Sequence, residues 1–166
     1  MSIETDVEVV ELNPFELDPK FVEELWDRVK DIEEAFDDRL RGRGDLFVNS
    51  FFNGTHFYLL GNFGIATAAN AVQGGDANVH FTIWNGERPF EVVSACRIAL
   101  EKIFNQFELV RATSTVGEHN DNAIRVARLL GFKVEGRLRK ANLFHGQLHD
   151  SLVLGILREE ILPTEN

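Results

Sequence analysis

The most restrictive pattern in the chain runs from Asn120 to Leu157: N-D-N-A-I-R-V-A-R-L-L-G-F-K-V-E-G-R-L-R-K-A, a polar turn, then D-S-L-V-L-G-I-L. Ile124, Val126, Ala127 and Leu130 recur at helical spacing, while Arg125 and Arg128 fall on the opposite side, so the spacing predicts a short amphipathic helix. Gly131 ends it, because glycine takes the left-handed conformation just past a helix without a Cβ penalty, and Phe132 is placed to fold back over the last turn. Residues 133–143 and 147–157 read as two strands joined at His145-Gly146. A helix, a glycine stop and a long hairpin in succession require a mixed α and β fold.

The remaining elements follow from the same periodicities. Residues 7–12 alternate apolar and acidic side chains and read as a first strand, broken at Asn13-Pro14. Asp18 is expected to cap a helix whose Phe21, Leu25, Val29, Ile32, Phe36 and Leu40 step by three or four, giving one long apolar stripe up to Arg41-Gly42-Arg43-Gly44. Asp45 then caps a short helix through Phe47 and Phe51 to Gly54, although this run reads equally as a strand. Residues 55–60, 65–72 and 78–84 are strand-like and separated by glycine-containing turns, the signature of an antiparallel meander. Val92, Ala95, Cys96, Ala99, Leu100 and Ile103 form one face of a helix over 91–107, and 109–116 is another strand. The order is β-α-α-β-β-β-α-β-α-β-β.

At 166 residues with 44% apolar content, one domain with one core is expected over 1–166. The N-terminus has neither a basic start nor an apolar signal core, no apolar run approaches the ~20 residues of a membrane span, and the single cysteine, Cys96, makes no internal disulfide. A cytoplasmic protein without membrane partners is expected. The net charge of −10 is lopsided: residues 1–40 carry 14 acidic and 4 basic side chains, whereas 41–166 carry 13 of each. An acidic surface without a basic stripe argues against nucleic acid as a partner, and the acidic N-terminal segment reads as a solvated helix face.

The pattern N-x-x-A-x-R-V-x-x-L-L-G-F-x-x-E-G-x-L-R, followed by G-x-x-x-D, resembles the C-terminal half of the GNAT superfamily of acyl-CoA N-acyltransferases. Its nearest branch looks like the one that acetylates the N-termini of ribosomal proteins. The resemblance implies an α+β fold with a mixed, mostly antiparallel sheet, splayed central strands and flanking helices. It further implies acetyl-CoA as cosubstrate, its pantetheine arm paired with backbone groups of the fourth strand and touching Ile83 and Trp84. A primary amine would enter from the other side of the gap, between the first two helices and the last hairpin, and receive the acetyl group directly.

Two departures from the family pattern bear on this. Where the family has a glycine-rich pyrophosphate loop, the chain has Gly86-Glu87-Arg88-Pro89-Phe90; Pro89 donates no N–H, Phe90 obstructs close approach, and Arg88 is the candidate side-chain clamp for the phosphates. Where many members carry a tyrosine acid in the fourth helix, the chain has Ala127; Ser114, Thr113 or Thr115 on the fifth strand would supply a hydroxyl instead. His80 is the best candidate general base, since an imidazole titrates in the useful range, and strand alternation sets it on the face opposite Val79, Phe81 and Ile83, either in the substrate gap or on the wet side of the sheet. Glu118 and His119 are second candidates. The resemblance implies that Asn120 contacts the CoA arm, while its position also suits an N-cap; Arg125 and Arg128 lie where they would approach the adenosine phosphates or simply face water. His145, His149 and Asp150 have no metal-ligand spacing. Two readings stand: an N-acetyltransferase, or a GNAT fold without cofactor chemistry serving a structural or interaction role, such as a bacteriophage virion component with protein partners.

Overall fold

A computed structural model describes residues 7–162. Residues 1–6, on which part of the reading of the N-terminus rests, and 163–166 lie outside the described residues. The strands are β1 (Val9–Leu12), β2 (His56–Leu60), β3 (Gly64–Ala69), β4 (Asn78–Ile83), β5 (Arg111–Gly117), β6 (Lys133–Phe144) and β7 (Gln147–Leu157). The helices are α1 (Pro19–Val29), α2 (Gly44–Phe52), α3 (Pro89–Gln106), α4 (Asp121–Leu130) and the short α5 (Arg158–Ile161). The strands form one seven-stranded sheet in the order β1-β2-β3-β4-β5-β7-β6, antiparallel everywhere except between β4 and β5. The predicted element order holds, with α5 added at the end.

Alternation along the strands divides the core into two layers. Tyr58 and Leu60 of β2, Ala66 and Ala68 of β3, Val79 of β4, Ala112 of β5, and Leu154 and Ile156 of β7 point to one face. There α3 lays Ala95, Cys96, Ala99, Leu100 and Ile103 against them, and α4 adds Ala127 and Leu130. The small residues let α3 approach the sheet closely. On the other face Leu12, Phe57 and Ile65 meet Leu25 and Val29 of α1 and Phe47 and Phe51 of α2, with the Phe51 and Phe57 rings stacked at 3.7 Å.

The long helix expected up to Leu40 does not form. Asp18 caps α1 as predicted, accepting from the Lys20 N–H at 2.9 Å, but α1 stops at Val29 and a 3-10 turn follows at Glu33–Ala35. Tertiary hydrogen bonds outcompete the helical ones here. The Asp38 N–H donates to the Leu143 carbonyl at 2.7 Å, the Asp37 carboxylate accepts from the Leu143 N–H at 2.6 Å, and the Asp38 carboxylate accepts from the Gly146 N–H at 2.8 Å. Phe36 still reaches the core by packing on Trp26, ring centres 5.6 Å apart, whereas Leu40 is exposed and leaves the stripe.

The ambiguous run after Asp45 is helix α2, with Arg43 rather than Asp45 at its N-cap; Asp45 lies in the first turn and forms a two-pronged pair with Arg43. The α4 unit matches the sequence closely. Gly131 adopts φ +105°, and the Phe132 N–H returns to the Ala127 carbonyl at 3.0 Å.

Candidate active site

The parallel junction of β4 and β5 closes at one point only, Asn78 opposite Thr113, where the Thr113 N–H donates to the Ala77 carbonyl at 2.9 Å. Beyond it the two strands separate. On its other edge β4 remains paired with β3 as far as Ile83. Successive residues of a strand direct their backbone groups to alternate sides, so Asn78, His80 and Thr82 face β3 while Phe81 and Ile83 present N–H and C=O groups to the opening. An unpaired strand edge inside a sheet, rather than at its margin, is a ready partner for an extended amide-bearing chain.

Side chains on the α1/α2 side of this opening come from both walls. Thr67 lies opposite His80 in the β3–β4 register, so His80 projects to the same face as Phe57 and Ile65, away from α3. Thr115 lies on the same face of β5 as Thr113, the face that His80 takes on β4. His80 is exposed to solvent, and partial desolvation by the neighbouring protein lowers its imidazole from the ordinary 6.5. An exposed imidazole with a lowered pKa is mostly neutral near pH 7.

The roof of this side is a strap of residues 33–41 tied to the tip of the β6–β7 hairpin. Besides the Asp37 and Asp38 hydrogen bonds, Arg39 donates to the Ala141 carbonyl at 3.1 Å, the Arg41 guanidinium lies 5.9 Å from the Phe144 ring centre, and His145 comes within 3.7 Å of Glu33. The paired Arg39 guanidinium and the Leu143 N–H hold the Asp37 carboxyl well below the usual carboxylate range. Asp37, Asp38 and Arg39 were not singled out from the sequence, because they fall between the stripe positions Phe36 and Leu40 and their partners are distant in the chain.

The other residues singled out from the sequence are distributed as follows. Ser114 is buried on the α3/α4 face with Leu154 opposite it, so it lies on the far side of the sheet from His80. Ile83 offers its backbone to the opening, but Trp84 turns away: its backbone N–H bonds the Phe63 carbonyl at 2.9 Å, its ring N–H bonds the Asn62 carbonyl at 3.0 Å, and Arg28 lies over its ring. Arg88 is the N-cap residue of α3, pairs with Glu91 at 3.0 Å, and lines a shallow cavity of about 400 Å³ with Gly61, Asn62 and Phe63. Phe90 is 92% exposed and plugs nothing. No side chain caps α3, and Gly86 has open space around it. The Asn120 side chain accepts from the Ala123 N–H at 3.0 Å and so caps α4, while Arg125 is exposed on that helix. Ala127 packs into the core where the family tyrosine would stand. Cys96 is buried and its thiol is pushed up to about 12, a small hydrophobe rather than a nucleophile.

Among the described residues no group of three His, Cys, Asp or Glu side chains is placed to hold a metal ion, and no helix is long and apolar enough to cross a membrane.

The sheet order, its single opening and the helices on each face define the fold of the GNAT acetyltransferases. No protein-family model and no curated protein matches the sequence. Among solved structures, the chain is similar to a probable acetyltransferase at 20% identity, covering 92% of this chain and 94% of that one with a TM-score of 0.69. It is similar to the spermidine N-acetyltransferase of Vibrio cholerae in complex with CoA and spermine, at 16% identity over 93% of this chain and 98% of that one, TM-score 0.69. A chimera built on the same Vibrio cholerae enzyme gives a TM-score of 0.75 at 15% identity, covering 94% and 99% of the two chains.

Proposed function

We propose that the protein is an acetyl-CoA-dependent N-acetyltransferase that transfers the acetyl group directly to a primary amine. The observation that carries this reading is the opening between β4 and β5, with the free backbone edge of Phe81 and Ile83 on one wall and the accessible imidazole of His80 on the α1/α2 face. The edge suits the amides of a pantetheine arm, which would align the thioester in the gap. The acceptor ammonium gives one proton to His80. The neutral amine then attacks the thioester carbonyl, the N–C bond forms as the C–S bond breaks, and the amine's second proton ends on the departing sulfur. His80 returns its proton to solvent.

Phosphate binding differs from the glycine-loop pattern but retains donors. The N–H groups of Phe90 and Glu91 stand at the uncapped end of the 18-residue α3, where the helix dipole favours an anion. Pro89 removes one donor. Arg88 reaches a phosphate only by exchanging its Glu91 partner. The acceptor class is an amine, as in the Vibrio cholerae structure with spermine, and a protein N-terminus is the acceptor that the α4 motif resembles.

Calorimetric titration with acetyl-CoA tests the reading without requiring the acceptor. Saturable binding is expected, and thiol release on adding amines should follow it. No heat at about 1 mM acetyl-CoA, an affinity too weak to sustain turnover, would leave the fold as a structural or interaction module.

A further inference from the structure

A second imidazole on the acceptor face has no role in the steps above. His119 follows β5, and its ring folds back over Gly117: a Cβ at Gly117 would lie 2.5 Å from the His119 Cε1 and 2.9 Å from its Nδ1. Glycine is required there by the ring rather than by its own backbone. Gly117 shares the face of Thr113, which pairs with Asn78 and so lies on the face that His80 takes on β4. The ring therefore lies on the same face of the sheet as His80, beside the β6–β7 hairpin.

Its orientation is fixed from two further sides. Phe144 stacks on it at 4.1 Å and 20°, and His149 lies against it at 4.8 Å. Phe144 is in turn held under Arg41 of the strap. The two ring nitrogens are not equivalent. Nδ1 is buried with no hydrogen-bond partner among the described residues, a condition that Nε2 does not share.

That asymmetry selects a tautomer. A buried N–H without an acceptor is rarer and costlier than a buried lone pair, so the proton of the neutral ring resides on Nε2. Adding a second proton would place an N–H at Nδ1 with nothing to receive it. Burial accordingly holds the imidazole below 6.5, joined by the neighbouring His149 and His145 and opposed by Glu34 and Glu118. The neutral ring, favoured by the lowered pKa, carries its single N–H on Nε2.

We propose that His119 is a second catalytic residue, a neutral imidazole whose Nε2–H donates to the thioester carbonyl oxygen as negative charge develops on it during amine attack. His80 removes the amine proton; His119 takes none. The assignment rests on the transferase reading above. A neutral donor suits this task because it supplies a dipole at the oxygen without repelling the incoming ammonium.

The test compares His119→Ala, His119→Gln and Gly117→Ala with the parent in steady-state kinetics across pH, alongside acetyl-CoA titration and denaturant midpoints. His119→Ala should lower kcat by on the order of 100-fold, the scale of losing one oxyanion donor, with acetyl-CoA affinity and the pH midpoint unchanged. His119→Gln restores an uncharged N–H at nearly the same reach and should recover most of the loss. Gly117→Ala keeps the histidine but displaces its ring, and should lower kcat in the same direction. If His119→Ala fails to fold, the other two variants still decide the matter. Parent-like kcat in His119→Ala or Gly117→Ala, or a Gln variant as slow as the Ala variant in a folded protein, overturns the role of His119 while the transferase stands. A parent that neither binds acetyl-CoA nor acetylates amines overturns both.

Discussion

At the scale of single residues, the site depends on which face of a strand each side chain takes. His80 and Ser114 were both legible as candidates from residue type and strand position, and alternation correctly set His80 opposite Val79. The sequence offered no means of seeing that Ser114 projects to the other face of the sheet, because that requires the inter-strand register. His80→Ala should lower kcat with little change in acetyl-CoA affinity. A base of the kind proposed for His80 works as the neutral imidazole, and its folded pKa is lowered from 6.5, so kcat/KM in the parent should fall as pH drops through a midpoint below 6.5. A pH–rate profile of the variant with the same acid limb would remove His80 from the mechanism.

At the scale of elements, the strap and the hairpin act as one unit. Asp37 accepts the Leu143 N–H and clasps the Arg39 side chain, and its own side chain is only 13% exposed. Asp37→Ala strands a part-buried backbone donor and should cost about 1–3 kcal/mol in denaturant stability. Arg39→Ala, which removes an exposed partner, should cost under about 1 kcal/mol. Equal losses would mean that the ion pair, rather than the backbone bond, ties the strap. The helical stripe misled at this scale for a physical reason. Its apolar spacing is real, but Phe36 satisfies it through the Trp26 ring while the neighbouring acids leave the helix for partners about a hundred residues away.

At the scale of the whole molecule, ionisation links the parts. Asp37, Asp38, Asp45, Asp150 and Glu160 are all held below their ordinary values by hydrogen bonds from backbone N–H groups, Arg or Lys; Arg43 does most to hold Asp45 at about 2. Lowered carboxylates contribute stability that is present above the unfolded values of 3.8 and 4.5 and is lost as pH falls through the folded ones. His80 and His119, also lowered, bind protons more readily in the unfolded chain, so they act in the same direction from about 6.5 downward. Thermal melts should therefore show a Tm that declines below pH 6.5 and falls more steeply below 4.5. A Tm flat from pH 7 to 3 would contradict these assignments. The sequence by itself determined the α4–Gly131–hairpin unit, the element order apart from the run that became α2, and the apolar faces of α1, α3 and α4, because these follow from local periodicity and from conformations that only glycine adopts freely. The opening between β4 and β5, the seat of the His119 ring over Gly117 and the clasp of the strap on the hairpin were decided by tertiary structure alone, since each depends on register and contact between segments distant in the chain.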